Sequence, residues 1–167
     1  VRCRSSEWVS SAVALARECN VPIVDLSIQW LQLSRETGAH HQLIAVACSL
    51  AHAREIRGLY QERGLEARDF HSGQSSEDQE QILRELRNGA IDVIVQVQML
   101  GEGFDHPPLS VAAIFRPFRS LSPYIQFVGR IMRVNQQNAP GHPDNRGIVI
   151  SHVGMNTDRL WEDFKSI

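Results

Sequence analysis

The run with the clearest chemical meaning is Gln126-Phe127-Val128-Gly129-Arg130-Ile131-Met132-Arg133. On a helix turning roughly 100° per residue, Gln126, Gly129, Arg130 and Arg133 share one face, and Phe127, Val128, Ile131 and Met132 share the other. One face therefore suits a core, while the opposite face presents two guanidiniums around a glycine with no carboxylate in the run to neutralise them. An anion is the natural partner, because the planar fork of arginine donates parallel hydrogen bonds to phosphate and a glycine lets a ligand approach the helix. Taken alone, the segment fits a solvated basic helix face equally well.

A second run, Val93-Ile94-Val95-Gln96-Val97-Gln98-Met99-Leu100-Gly101-Glu102-Gly103-Phe104-Asp105-His106-Pro107, leads an apolar strand into a glycine-containing turn and an acid. Gly103 permits backbone conformations that other residues avoid, and Asp105 can accept hydrogen bonds from ribose hydroxyls. It is a poor dinucleotide fingerprint, since His106 stands where the third glycine would be. A phosphate-binding loop is excluded within the chain: its single lysine, Lys165, follows Phe164, so no Gly-Lys-Ser/Thr occurs. No resident metal is expected. Cys3, Cys19 and Cys48 form no CxxC pair, and the adjacent His40 and His41 diverge on any regular element. Unpaired, scattered cysteines point to a reducing cytoplasm. A formal net charge of -2 means that any contact to phosphate must come from local features. No apolar run approaches the roughly 20 residues that span a bilayer, so no membrane partner is expected.

The elements that must position these residues can be read from periodicity and punctuation. Residues 7–18 have helical spacing, and Pro22 is expected to break the chain before a second helix over 23–36, ended by Thr37-Gly38. The continuous apolar run 43–48 predicts a buried parallel strand. A helix over 51–63 stops at Gly64, a strand spans 66–70, and Ser75 or Ser76 caps a further helix that ends at Asn88-Gly89. Strands follow at 91–97, 111–115 and 147–151, and residues 135–145 are expected to form one long mobile loop. Such alternation predicts an α/β fold, an open parallel sheet with helices on both faces. Ligands in such folds gather at the carboxyl ends of the strands, which here bring together Ser49, His71-Ser72-Gly73, 98–105 and 116–119. Arg116 and Arg119, with Phe115 and Phe118, could line a cleft or a nucleic-acid track, or simply pack. The expected organisation is a helical lead-in over 1–42 and the main domain over 43–167, together one compact unit.

Gln-x-x-Gly-Arg-x-x-Arg at 126–133 resembles motif VI of superfamily 2 helicases, and the strand-turn-acid-proline run ending at Pro107 resembles motif V. Residues 43–53 and Phe70-His71-Ser72-Gly73 resemble motif IV and the loop that follows the next strand in the same family. The resemblance implies a second, C-terminal RecA-like domain lacking the phosphate loop, completed by the N-terminal RecA-like domain of the same protein. ATP and Mg2+ would be held mainly by that other domain. Arg130 and Arg133 would be the arginine fingers that meet the γ-phosphate, with Gln126, Gly129, Glu102, Gly103 and Asp105 lining the nucleotide. Ser49, Arg54, Ser72, Gly73, Val97 and Gln98 would meet the backbone of DNA or RNA without reading bases. Val97 departs from the family, which often has a threonine there, leaving main-chain amides or Gln98 for that contact. Glu102, where DEAD-box proteins carry an arginine, suggests the branch containing DEAH-like, repair and restriction-associated motors. On this reading the chain is a piece of a longer ATPase and is inactive alone. The competing reading is a non-enzymatic platform that binds protein or nucleic acid.

Overall fold

The computed structural model describes residues 12–97, 106–118, 120–131, 137–139, 141–152, 155 and 157–166, except for the side chains of Arg130, Ile131 and Asp158. Five strands form one sheet: β1 (Gln42–Val46), β2 (Ala67–Phe70), β3 (Val93–Gln96), β4 (Leu109–Ile114) and β5 (Ile148–Ser151), in the order β2-β3-β1-β4-β5. Every pairing is parallel. β1 lies at the centre, with Ile44 paired to Ile94 on one side and to Ala112 on the other. Its five residues are all buried, as an uninterrupted apolar run in a doubly covered sheet requires.

Alternation along the strands divides the core. Leu43, Ala45, Val93, Val95, Val111 and Ala113 pack beneath α1 (Arg17–Arg35) and α2 (Leu50–Glu62). Ile44, Val46, Ile94, Ala112 and Ile114 point to the other face, covered by α3 (Ser76–Arg87), α4 (Leu121–Ile131) and α5 (Thr157–Lys165). The helix limits follow local chemistry. Ser49 and Ser75 cap α2 and α3, their hydroxyls accepting the amides of His52 and Asp78. Gly64 and Gly89 end the same helices at φ +83 and +75, conformations that favour glycine.

Two expectations need correction. Pro22 does not start a new helix: α1 runs through it, and the break falls at Ala16, which is extended at φ -74 and ψ 122. Proline removes one backbone donor and crowds the carbonyl four residues earlier. Here the loss falls near the start of a 19-residue helix whose inward stripe, Asn20, Ile23, Val24, Ser27 and Leu31, is buried on both sides of the proline. Packing of that stripe outweighs one missing bond. The segment 135–145 is likewise not one free loop, because Pro143–Asn145 form a 3-10 turn that buries Asp144 to 3% exposure.

Candidate functional site

Parallel strands place all five carboxyl ends on one edge, in the order 71–74, Val97, 47–49, 115–118 and His152. At its centre, the β1 loop is built around His52. The Cys48 amide donates to His52 Nδ1 at 3.1 Å, so the ring proton sits on Nε2, facing the Asn20 side-chain amide at 3.1 Å. Asn20 Nδ2 is the atom placed against it and Oδ1 is left without a partner among the described residues, so turning the amide over gives the Nε2 proton its acceptor. Burial pushes the His52 pKa down, against the weaker opposing charge of Glu55, so the ring stays neutral and works as a bracket. It holds Ser49 at the mouth of α2, where the exposed serine hydroxyl accepts the His52 amide and keeps its own proton to donate. Arg54, one turn on, is exposed.

The β2 loop is tied down from within. Gln74 accepts the His71 amide at 3.0 Å and donates to the Asp69 carbonyl at 3.0 Å, while Gln79 donates to the His71 carbonyl at 2.8 Å. Asp69, only 8% exposed, is paired with Arg57 and lies 3.7 Å from His71 Nε2. The Gly73 amide donates to His71 Nδ1 at 3.1 Å, so a contact from it to a strand would replace that bond. Ser72 is exposed at the tip.

On α4 the two faces separate as the spacing requires. Tyr124, Phe127 and Val128 are buried against the sheet, and Gln126 is exposed. Among the described residues nothing lies within 4 Å of where a Cβ on Gly129 would stand, so none of them crowds the polar face there. Arg130 lies in the last turn of the helix. Arg133, Glu102, Gly103, Asp105 and Gln98 lie outside the described residues, and Val97 is half-buried at the end of β3. Phe115 is fully buried, and Phe118 packs on Tyr124 and Phe127 at centroid distances of 5.7 and 5.8 Å. Both aromatics are packing residues.

Sequence reasoning missed a buried chain at the opposite, amino edge of the sheet. Ser110 Oγ lies 2.6 Å from His41 Nδ1, and His41 Nε2 lies 2.7 Å from Asp144 Oδ1. Thr37 donates to the same carboxylate. The residue types are those of a nucleophilic triad, but Ser110, His41 and Asp144 are 1%, 2% and 3% exposed, so no substrate reaches the hydroxyl. The chain is a structural lock joining the end of α1, the start of β1, the start of β4 and the turn before β5. Partners 69 and 103 residues apart leave no local signal of it. Among the described residues no group of His, Cys, Asp and Glu could hold a metal ion.

A five-stranded parallel sheet of this order, covered on both faces and carrying a two-faced Gln-x-x-Gly-Arg helix after its fourth strand, defines a RecA-like domain of the helicase type. The model for the helicase conserved C-terminal domain matches residues 26–135. The chain belongs to that family, as the C-terminal RecA-like domain of a superfamily 2 helicase. It is 35% identical over 134 residues to UvrABC system protein B of Chlamydia pneumoniae, an alignment covering 77% of this chain and 20% of that protein. The chain thus spans about a fifth of the length of the curated relatives it matches. Saccharomyces cerevisiae Dbp5 bound to RNA and ADP BeF3 shares the fold with a TM-score of 0.65 at 15% identity, covering 89% of this chain and 37% of that one. The Pyrococcus furiosus Hef helicase domain does so with a TM-score of 0.58 at 22% identity, covering 85% and 28%.

Proposed function

We propose that this domain is the second half of an ATP-driven nucleic-acid motor, closing on nucleotide held by a first RecA-like domain and gripping one strand by its phosphates. The observation that carries the reading is the division of α4: Phe127 and Val128 are locked into the core, which fixes the rotation of the helix and leaves Gln126 and Gly129 on the polar face. Triphosphate fits that face, since nothing described crowds Gly129 and no acid interrupts 126–133. Arg130 and Arg133, four and seven residues after Gln126 in the sequence, are assigned to the γ-phosphate, and Glu102, Gly103 and Asp105 to the same nucleotide. ATP with Mg2+ supplies the scissile phosphoanhydride and the metal charge when bound by the partner domain. This chain contributes guanidinium charge to the phosphoryl oxygens, and Ser49, Arg54, Ser72, Gly73, Val97 and Gln98 to the strand track. The determined structure of Dbp5 with RNA and ADP BeF3 supports this reading by analogy of fold.

An arginine finger contributes about 10³ to 10⁵ in rate by stabilising charge on the transferring phosphoryl group. Arg133→Ala in the full-length protein is therefore expected to lower the ATPase rate at least about a thousandfold while leaving thermal unfolding unchanged. Wild-type turnover by that variant would remove the finger assignment and favour a non-enzymatic platform. The chain by itself is expected to hydrolyse no ATP, because it contains no Gly-Lys-Ser/Thr loop.

A further inference from the structure

Arg17, Arg35, Arg57, Arg63, Arg68 and Arg84 are each matched with a carboxylate. Arg116 has no such match among the described residues. Its Nη1 donates to the Val97 carbonyl at 3.4 Å, and its guanidinium lies 5.7 Å from the centre of the Phe118 ring. Val97 follows β3 and Arg116 follows β4, while β1 lies between these two strands. The side chain therefore bridges the carboxyl end of β1; in the β1 loop, burial pushes the Cys48 thiol pKa up and the Arg116 charge opposes it. Three strand ends converge on one half-buried cation.

Such a group is held in place before any ligand arrives. The contact to Val97 uses one of the five N–H donors of the fork, and the ring of Phe118 is itself fixed against Tyr124 and Phe127. A half-buried cation kept at the ligand-binding edge with donors to spare, and with no acid paired to it among the described residues, suits an anion from outside the domain. We propose that Arg116 binds a phosphate oxygen at the centre of the carboxyl edge, as a binding residue additional to Arg130 and Arg133. This rests on the motor-half reading, which supplies two sources of phosphate: the backbone of the bound strand and the triphosphate of the nucleotide.

The test uses the full-length protein with Arg116→Gln and Arg116→Lys. Strand binding is followed by fluorescence anisotropy of labelled oligodeoxythymidine and oligouridine across a salt series without nucleotide, and the nucleotide by the KM for ATP. If the phosphate belongs to the strand, Arg116→Gln weakens binding roughly tenfold. It also flattens the slope of log K against log salt by about 0.7, the share of one phosphate contact on a single strand. If the phosphate belongs to the nucleotide, the KM for ATP rises by a similar factor and strand affinity stays at the wild-type value. Arg116→Lys keeps the charge and the ring contact but loses the fork, so it retains the salt slope and loses part of the affinity. Should Arg116→Gln melt early, the lysine variant decides: wild-type affinity for both ligands overturns the assignment. Equal strand affinity and equal KM in a folded Arg116→Gln overturn the role of Arg116 and leave the motor-half reading standing. A wild-type protein that binds neither ligand overturns both.

Discussion

Asp144→Ala is the perturbation whose size follows most directly from the structure. The carboxylate accepts from Thr37 and from His41 Nε2 at 2.7 Å, and lies 3.5 Å from His142 Nδ1. The hydrogen bonds from Thr37 and then His41 hold its pKa below the usual 3.8, against burial and helped by the charges of His41 and His142. Truncation leaves His41, 2% exposed, with one ring nitrogen facing a void. An unsatisfied buried polar group costs about 1–3 kcal/mol, and a hydrogen bond to a charged group contributes about 1.5–3 kcal/mol. A net loss of about 3 kcal/mol is expected. For a domain of this length that lowers the melting temperature by roughly 6–12 °C. Thermal unfolding followed by circular dichroism measures it. The sign with pH is fixed as well: a depressed carboxylate stabilises above its unfolded pKa and loses that contribution as pH falls through the folded value. The gap between wild type and Asp144→Ala should therefore be full at neutral pH and shrink below about pH 4. A variant melting within about 1 °C of wild type at pH 7, a loss of no more than about 0.5 kcal/mol, would refute the lock.

Smaller effects are expected at the helix ends. Ser75→Ala removes the acceptor for the Asp78 amide at 3.1 Å and should cost about 1 kcal/mol, read as a shift in the urea midpoint at constant slope. Gly89→Ala places a Cβ at φ +75 and 3.1 Å from the His40 ring, and should destabilise by about 1–2 kcal/mol. A neutral result would mean that the backbone relaxes at the end of α3.

The order of elements, the buried apolar strand at 43–48 and the serine cap of α3 were legible because each depends on neighbours a few residues away. Leu43 to Ala47 are apolar on both faces of the strand, so they demand cover on both sides wherever the sheet forms. The two-faced character of 121–131 is equally local, fixed by the 3.6-residue period once Phe127 and Val128 seek the core. Pairing across the molecule was not legible. Thr37 and Asp144 stand 107 residues apart, and only the strand order that sets β4 beside both β1 and β5 brings the turn before β5 to the end of α1. The same order carried α1 through Pro22, where burial of a whole helical stripe outweighed a local break, and laid Arg116 across the end of β1. Short-range chemistry decides which elements form; their arrangement decides which charges meet, because electrostatics and hydrogen bonding depend on distance in space and not along the chain.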